Sequence, residues 1–152
     1  MSETSPDKID RSIVLRAPRS RVWRALTDAA EFGEWFRAKL EGAFTVGQRT
    51  RGTITHPGFE HVAMELDVVR MEGERLFAFR WHPYAVEPGV DYSSEPMTLV
   101  EFHLEDVEGG THLRVTESGF DQLPPERRAT AFRMNDGGWA QQLENIRQHV
   151  EA

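Results

Sequence analysis

The last third of the chain admits few architectures. Pro124-Pro125 opens a stretch to Val150 with no further proline, and Ala129, Phe132, Trp139, Leu143, Ile146 and Val150 recur in it at helical spacing. Steps of three and four residues put these side chains on one face of a long helix. Proline suits a first helical turn, whose amides have no internal partner. A helix with an apolar face on one side must lie on another layer. Gly137-Gly138, ahead of Trp139, interrupts the pattern at mid-length and leaves room between this helix and whatever it covers.

What it covers is read from the period-two patterning upstream. Strands are expected at about 40–46, 48–56, 61–71, 75–82, 98–107 and 111–118, with Gly42, Gly47, Pro57-Gly58, Gly73 and Gly109-Gly110 as hairpin punctuation. Val62, Met64, Leu66 and Val68 share one face of their strand while Glu65 and Asp67 take the other. Phe77, Phe79 and Trp81, then Val100, Phe102 and Leu104, then Leu113 and Val115 continue the apolar face across the sheet. A first strand, from Ile9 to Ala17, precedes two short helices. Pro18 starts one of them, and Asp28 with Glu31 forms a capping box for the other, which carries Phe32, Trp35 and Phe36. The reading is an α+β domain over 9–152 behind a flexible N-terminal segment, 1–8.

Composition narrows the function classes. With 152 residues and no cysteine, the chain can bury a core but cannot use disulfides, thiolate nucleophiles or cysteine metal sites. Polar residues at the start and the lack of a long apolar run predict a cytoplasmic protein without a membrane span. A formal charge of −7 argues against nucleic acid, although Arg11, Arg16, Arg19, Arg21 and Arg24 lie close together in sequence. Neither a Gly-x-Ser-x-Gly elbow nor a phosphate loop is present. His56 and His61 flank a tight turn beside Glu60, yet no metal-ligand spacing supports them, so no metal and no cofactor are expected. His82 and His103 have the outward parity.

The order strand, two short helices, six antiparallel strands and a long closing helix resembles the START-like (SRPBCC) helix-grip fold. The segment from Ala17 to Asp28, Trp35-Phe36, Thr116-Glu117-Ser118-Gly119-Phe120 and Gly137-Gly138-Trp139 with Leu143 resemble the branch named after the C-terminal domain of the activator of heat-shock-protein-90 ATPase. The resemblance implies a curved sheet and helix enclosing a cavity, and functions that range from carriage of small apolar molecules through polyketide cyclases to chaperone binding. The separate N-terminal domain of the eukaryotic co-activators is absent from this chain.

Candidate lining residues follow from the inward rows and that implied cavity. Trp35 and Phe36 come from the short helix, Phe77, Phe79, Trp81 and Phe102 from the sheet, and Phe132 and Trp139 from the closing helix. Asn135 and Asp136 border the helical stripe on either side of Trp139, at about 40° and about 60°, and are the polar candidates. Glu117 has inward parity, so its carboxylate points inside with a raised pKa or pairs with a surface arginine. The loop 82–97, with three prolines and two tyrosines, reads equally as part of a pocket mouth or as a surface loop or homodimer contact. The leading expectation is a binder of an apolar or aromatic molecule without established catalysis. Alternatives are a cyclase or dehydratase using Asn135, Asp136 or Glu117, and a chaperone-interaction module.

Overall fold

A computed structural model describes residues 8–151. Seven antiparallel strands form one open, curved sheet in the order β1-β7-β6-β5-β4-β3-β2: β1 (Lys8–Leu15), β2 (Ala38–Glu41), β3 (Arg49–Ile54), β4 (Ala63–Glu72), β5 (Leu76–Trp81), β6 (Thr98–Val107) and β7 (Gly110–Ser118). Helices α1 (Arg19–Thr27) and α2 (Ala29–Phe36) fill the β1–β2 connection, and α3 (Pro125–Glu151) closes the chain. This is the helix-grip arrangement. Lys8, placed in the flexible segment by sequence, already pairs with Ser118. Residues 1–7 of that segment lie outside the described residues.

Each element follows from local chemistry. Asp28 caps α2 by accepting from the amides of Ala30 and Glu31. Glu31 does not complete a box; its carboxylate is held by Arg21, Arg24 and His149. Gly33 is required because a Cβ there would lie 2.3 Å from the Ala38 carbonyl oxygen as the chain turns from α2 into β2. The expected strand 40–46 is shorter and earlier, since the backbone leaves the sheet after Glu41. In β4 the register shifts between Val68 and Arg70, a bulge that exposes Val69 and bends the strand.

The inward rows are as the parity predicts, with Met64, Leu66, Val68, Phe77, Phe79, Val100, Phe102, Leu113 and Val115 all buried. Helix α3 is continuous through Gly137-Gly138 and is not interrupted there. Its buried positions are Ala131, Trp139, Leu143, Ile146 and Val150. Ala129 is exposed. Relative to Trp139 it and Ala131 sit about 80° to opposite sides on an ideal helix, Ala131 on the flank of Asn135 and Ala129 on that of Asp136. The Arg11-to-Arg24 cluster is dispersed into ion pairs: Arg11 with Asp136, Arg19 with Glu74 and Asp106, and Arg21 and Arg24 with Glu31. No helix among the described residues is long and apolar enough to cross a membrane.

Candidate functional site

Two adjacent regions carry the functional candidates. Beneath Trp139 the inward aromatic rings meet one another. Phe36, Trp81 and Phe102 lie at centroid distances of 6.3, 5.7 and 5.6 Å from Trp139, and Phe77, Phe79 and Phe102 form a further contiguous set. Trp35 packs on Phe32 and Phe36 and donates its indole N–H to the Ala25 carbonyl. Phe132 packs on Phe120. These rings fill space.

Glu117 lies within this region, fully buried. Its carboxylate accepts from the indole N–H of Trp81 (2.8 Å) and of Trp139 (2.8 Å), from the Thr98 hydroxyl (2.5 Å) and from the Asn135 amide (3.0 and 3.2 Å). Strand register explains the meeting. Trp81 pairs with Thr98, and Val100, two residues on, pairs with Glu117, so the three polar side chains are neighbours on one face. Asn135 and Trp139, one helical turn apart, descend from α3. Among the described residues no arginine reaches Glu117; the surface ion pair weighed from sequence is replaced by four neutral residues. Burial pushes its carboxyl above the usual range, while the converging donors pull against that rise.

Beside this plug lies a groove of about 870 Å³, open to solvent. Phe36, Ile54, Met64 and Trp81 line its floor, Asn135, Gly138 and Gln142 of α3 one wall, and the 82–97 loop with the β3–β4 connection the other. Apart from its chain neighbours and the helix's own backbone, no atom of the described residues lies within 4 Å of where a Cβ on Gly138 would be, so the glycine widens the groove. The loop is held in place. Arg127, near the start of α3, makes a bidentate pair with Glu95, donates to the Pro83 and Tyr84 carbonyls and stacks 4.8 Å over the Tyr92 ring. His61 Nε2 donates to the Val86 carbonyl at 2.8 Å and ties the two parts of that wall together; the oxygen is only an acceptor, so this nitrogen bears the hydrogen.

Of the eleven residues proposed from sequence, Phe36, Trp81 and Asn135 line the groove. Trp35, Phe77, Phe79, Phe102, Glu117 and Trp139 belong to the buried region behind it, and Phe132 is half-buried against Phe120. Asp136 is turned the other way, paired with Arg11 at 2.9 Å over β1, because consecutive helical residues point about 100° apart. Sequence reasoning did not name Tyr84, Met64 or Gln142 as lining residues and gave His82 an outward position, whereas Gly138 belongs to the glycine pair expected to leave room. His82 lines the groove and donates to the Glu95 carbonyl at 3.1 Å, because β5 ends at Trp81 and strand parity stops with it. Among the described residues no three histidine or carboxylate side chains gather as a metal site.

Residues 16–151 match the family model described as activator of Hsp90 ATPase homolog 1-like protein. The chain belongs to this family. Protein MLL2253 from Mesorhizobium loti is similar in structure, with 24% identity over 95% of this chain and 96% of that one and a TM-score of 0.75. DynU16, a putative protein in the dynemicin biosynthetic locus, is 23% identical over 97% of this chain with a TM-score of 0.74, and this chain spans 48% of it. The Aha1 dimer from Colwellia psychrerythraea is 19% identical over 95% of this chain and 96% of that one, with a TM-score of 0.70. At these identities the likeness concerns the fold. No curated protein matches the chain.

Proposed function

We propose that the protein binds a small, largely apolar molecule with a flat body in the groove between α3, the 82–97 loop and the β3–β4 connection. The observation that carries this reading is the groove itself. It has the volume of a ligand site, a floor of Trp81, Phe36 and Met64, and a few amide groups at its edge. The loop braced by Arg127 supports it, since a long connection held by this many polar contacts has been given a fixed shape.

Catalysis is less well supported. The acid–base candidates are divided, with Asp136 on the far flank of α3 and Glu117 sealed behind Trp81 and Asn135. A protein-interaction role is also less well supported, because the exposed large apolar residues Val14, Val69, Val107 and Met134 sit on four different elements and Val46 on the β2–β3 connection, while Phe59 and Val90 edge the groove.

The test uses Nile red, an uncharged apolar dye. Its fluorescence rises on binding to the wild-type protein, and Gly138→Trp, which sets an indole in the open space, abolishes the rise. Helical content stays the same in that variant, because tryptophan is a better helix former than glycine. A dye signal unaffected by Gly138→Trp, or none with the wild type, overturns the reading.

A further inference from the structure

The hydrogen bonds around Glu117 dictate which polar group the groove shows to a guest. An indole nitrogen can only donate, so the N–H groups of Trp81 and Trp139 are both spent on the carboxylate. One end of the Asn135 amide lies within 3.2 Å of both Glu117 oxygens. A carboxylate held by donors accepts only, which makes that end the NH2 group and turns Oδ1 away from Glu117. Asn135 borders the groove, and among the described residues no hydrogen bond reaches its Oδ1.

Several of the other donors at the groove are engaged within the protein as well. Gln142 donates to the Phe36 carbonyl and accepts from Asn145, which accepts from Gln141. His61 and His82 give their Nε2 hydrogens to loop carbonyls. Charge at the groove leans acidic: of the lining carboxylates Glu65 is paired outward with Arg49 and Arg51, which leaves Glu87 and Asp91 with Arg37 as the one lining arginine. An anionic guest meets that acidic excess, and a guest with only acceptors leaves Asn135 Oδ1 without a partner.

We infer that the groove selects an uncharged or cationic apolar molecule that presents a hydroxyl or amino hydrogen to Asn135 Oδ1, and that Glu117 is the positioning residue that fixes this preference by locking the Asn135 amide in one orientation. The inference rests on the binding function proposed above and names the chemistry of the ligand. Fatty acids and other carboxylates are the wrong class. Alcohols, phenols and amines with a flat apolar body are the right one.

The experiment titrates hydroxypyrene, methoxypyrene and pyrene carboxylate into the protein and reads energy transfer from tryptophan. Hydroxypyrene is expected to bind about tenfold more tightly than methoxypyrene, the worth of one well-placed hydrogen bond, and the carboxylate most weakly. Asn135→Leu removes the acceptor and brings the hydroxyl and methoxy compounds to the same affinity. Glu117→Gln lets the amide reverse and narrows or inverts the hydroxyl-to-methoxy ratio, an effect a loss of packing alone does not produce. Equal affinities for the wild type, tighter binding of the carboxylate, or a ratio unmoved by Asn135→Leu overturns the inference. The groove reading survives such a result if Gly138→Trp still abolishes binding of all three. Failure of every probe to bind overturns both.

Discussion

The volume beneath Trp139 and the volume beside Asn135 are bounded by the same two layers, yet one is packed shut and the other is open. Under the centre of α3, ring meets ring from four elements, and a carboxylate collects the polar hydrogens of the rings and their neighbours. On the flank of the same helix stand Asn135, Gly138 and Gln142, none of which fills the space out to the loop. Room in this fold comes from what one edge of the helix withholds. The core itself is not hollowed out. A consequence is that stability and binding are assigned to different residues and respond to different substitutions.

The largest expected effect falls on the packed side. Glu117→Leu leaves two indole N–H groups, a hydroxyl and an amide without their acceptor, and the cost is about 4 kcal/mol of unfolding free energy. Urea unfolding measures it; a loss below about 1 kcal/mol would mean the donors find water, and the contrast between sealed and open regions breaks. Next comes the outer wall. Arg127→Leu removes a guanidinium that is mostly buried with Glu95 and costs about 2 kcal/mol. Faster amide exchange across 83–95 and weaker dye binding accompany it, whereas unchanged exchange there would detach the loop from the groove's shape.

Trp139→Phe keeps the stacking and drops one hydrogen bond to Glu117, so a loss of about 1 kcal/mol is expected with dye affinity little changed. A large loss of affinity would show that the two regions are not independent. The smallest effect lies in acid. Glu31, held by Arg21, Arg24 and His149, is pulled down from 4.5 to about 2, so its contribution is present above 4.5 and is lost as pH falls toward about 2. Glu117, raised by burial, has the opposite sign: stability declines as pH climbs through the window above 4.5. Comparing melting temperatures of Glu31→Gln and wild type through the acid range should show a difference at neutral pH that closes on acidification.

Strand parity made the inward rows legible, and with them the inward carboxylate of Glu117. It did not reveal the partners of that carboxylate. Trp81, Thr98 and Glu117 are 17 to 36 residues apart and meet only through one direct pair and a diagonal neighbour in a paired sheet. Nor does a sequence separate an aromatic residue that lines a space from one that fills it. Phe77 and Phe36 look alike on the page, and only the layer packed against each decides. Asn135 and Asp136 were both visible at the edges of the helical stripe. Which edge faces the groove depends on how α3 is laid across β1, where Arg11 claims Asp136. His82 was misplaced for a simpler reason, since alternation says nothing past the last paired residue.

Because the segment from Pro83 to Glu95 is gripped by Arg127 and His61, largely through main-chain oxygens, one acidic side chain and the Tyr92 ring, most of its other letters are free to drift. Relatives could therefore retune what they recognise by rewriting that stretch while inheriting the foundation intact.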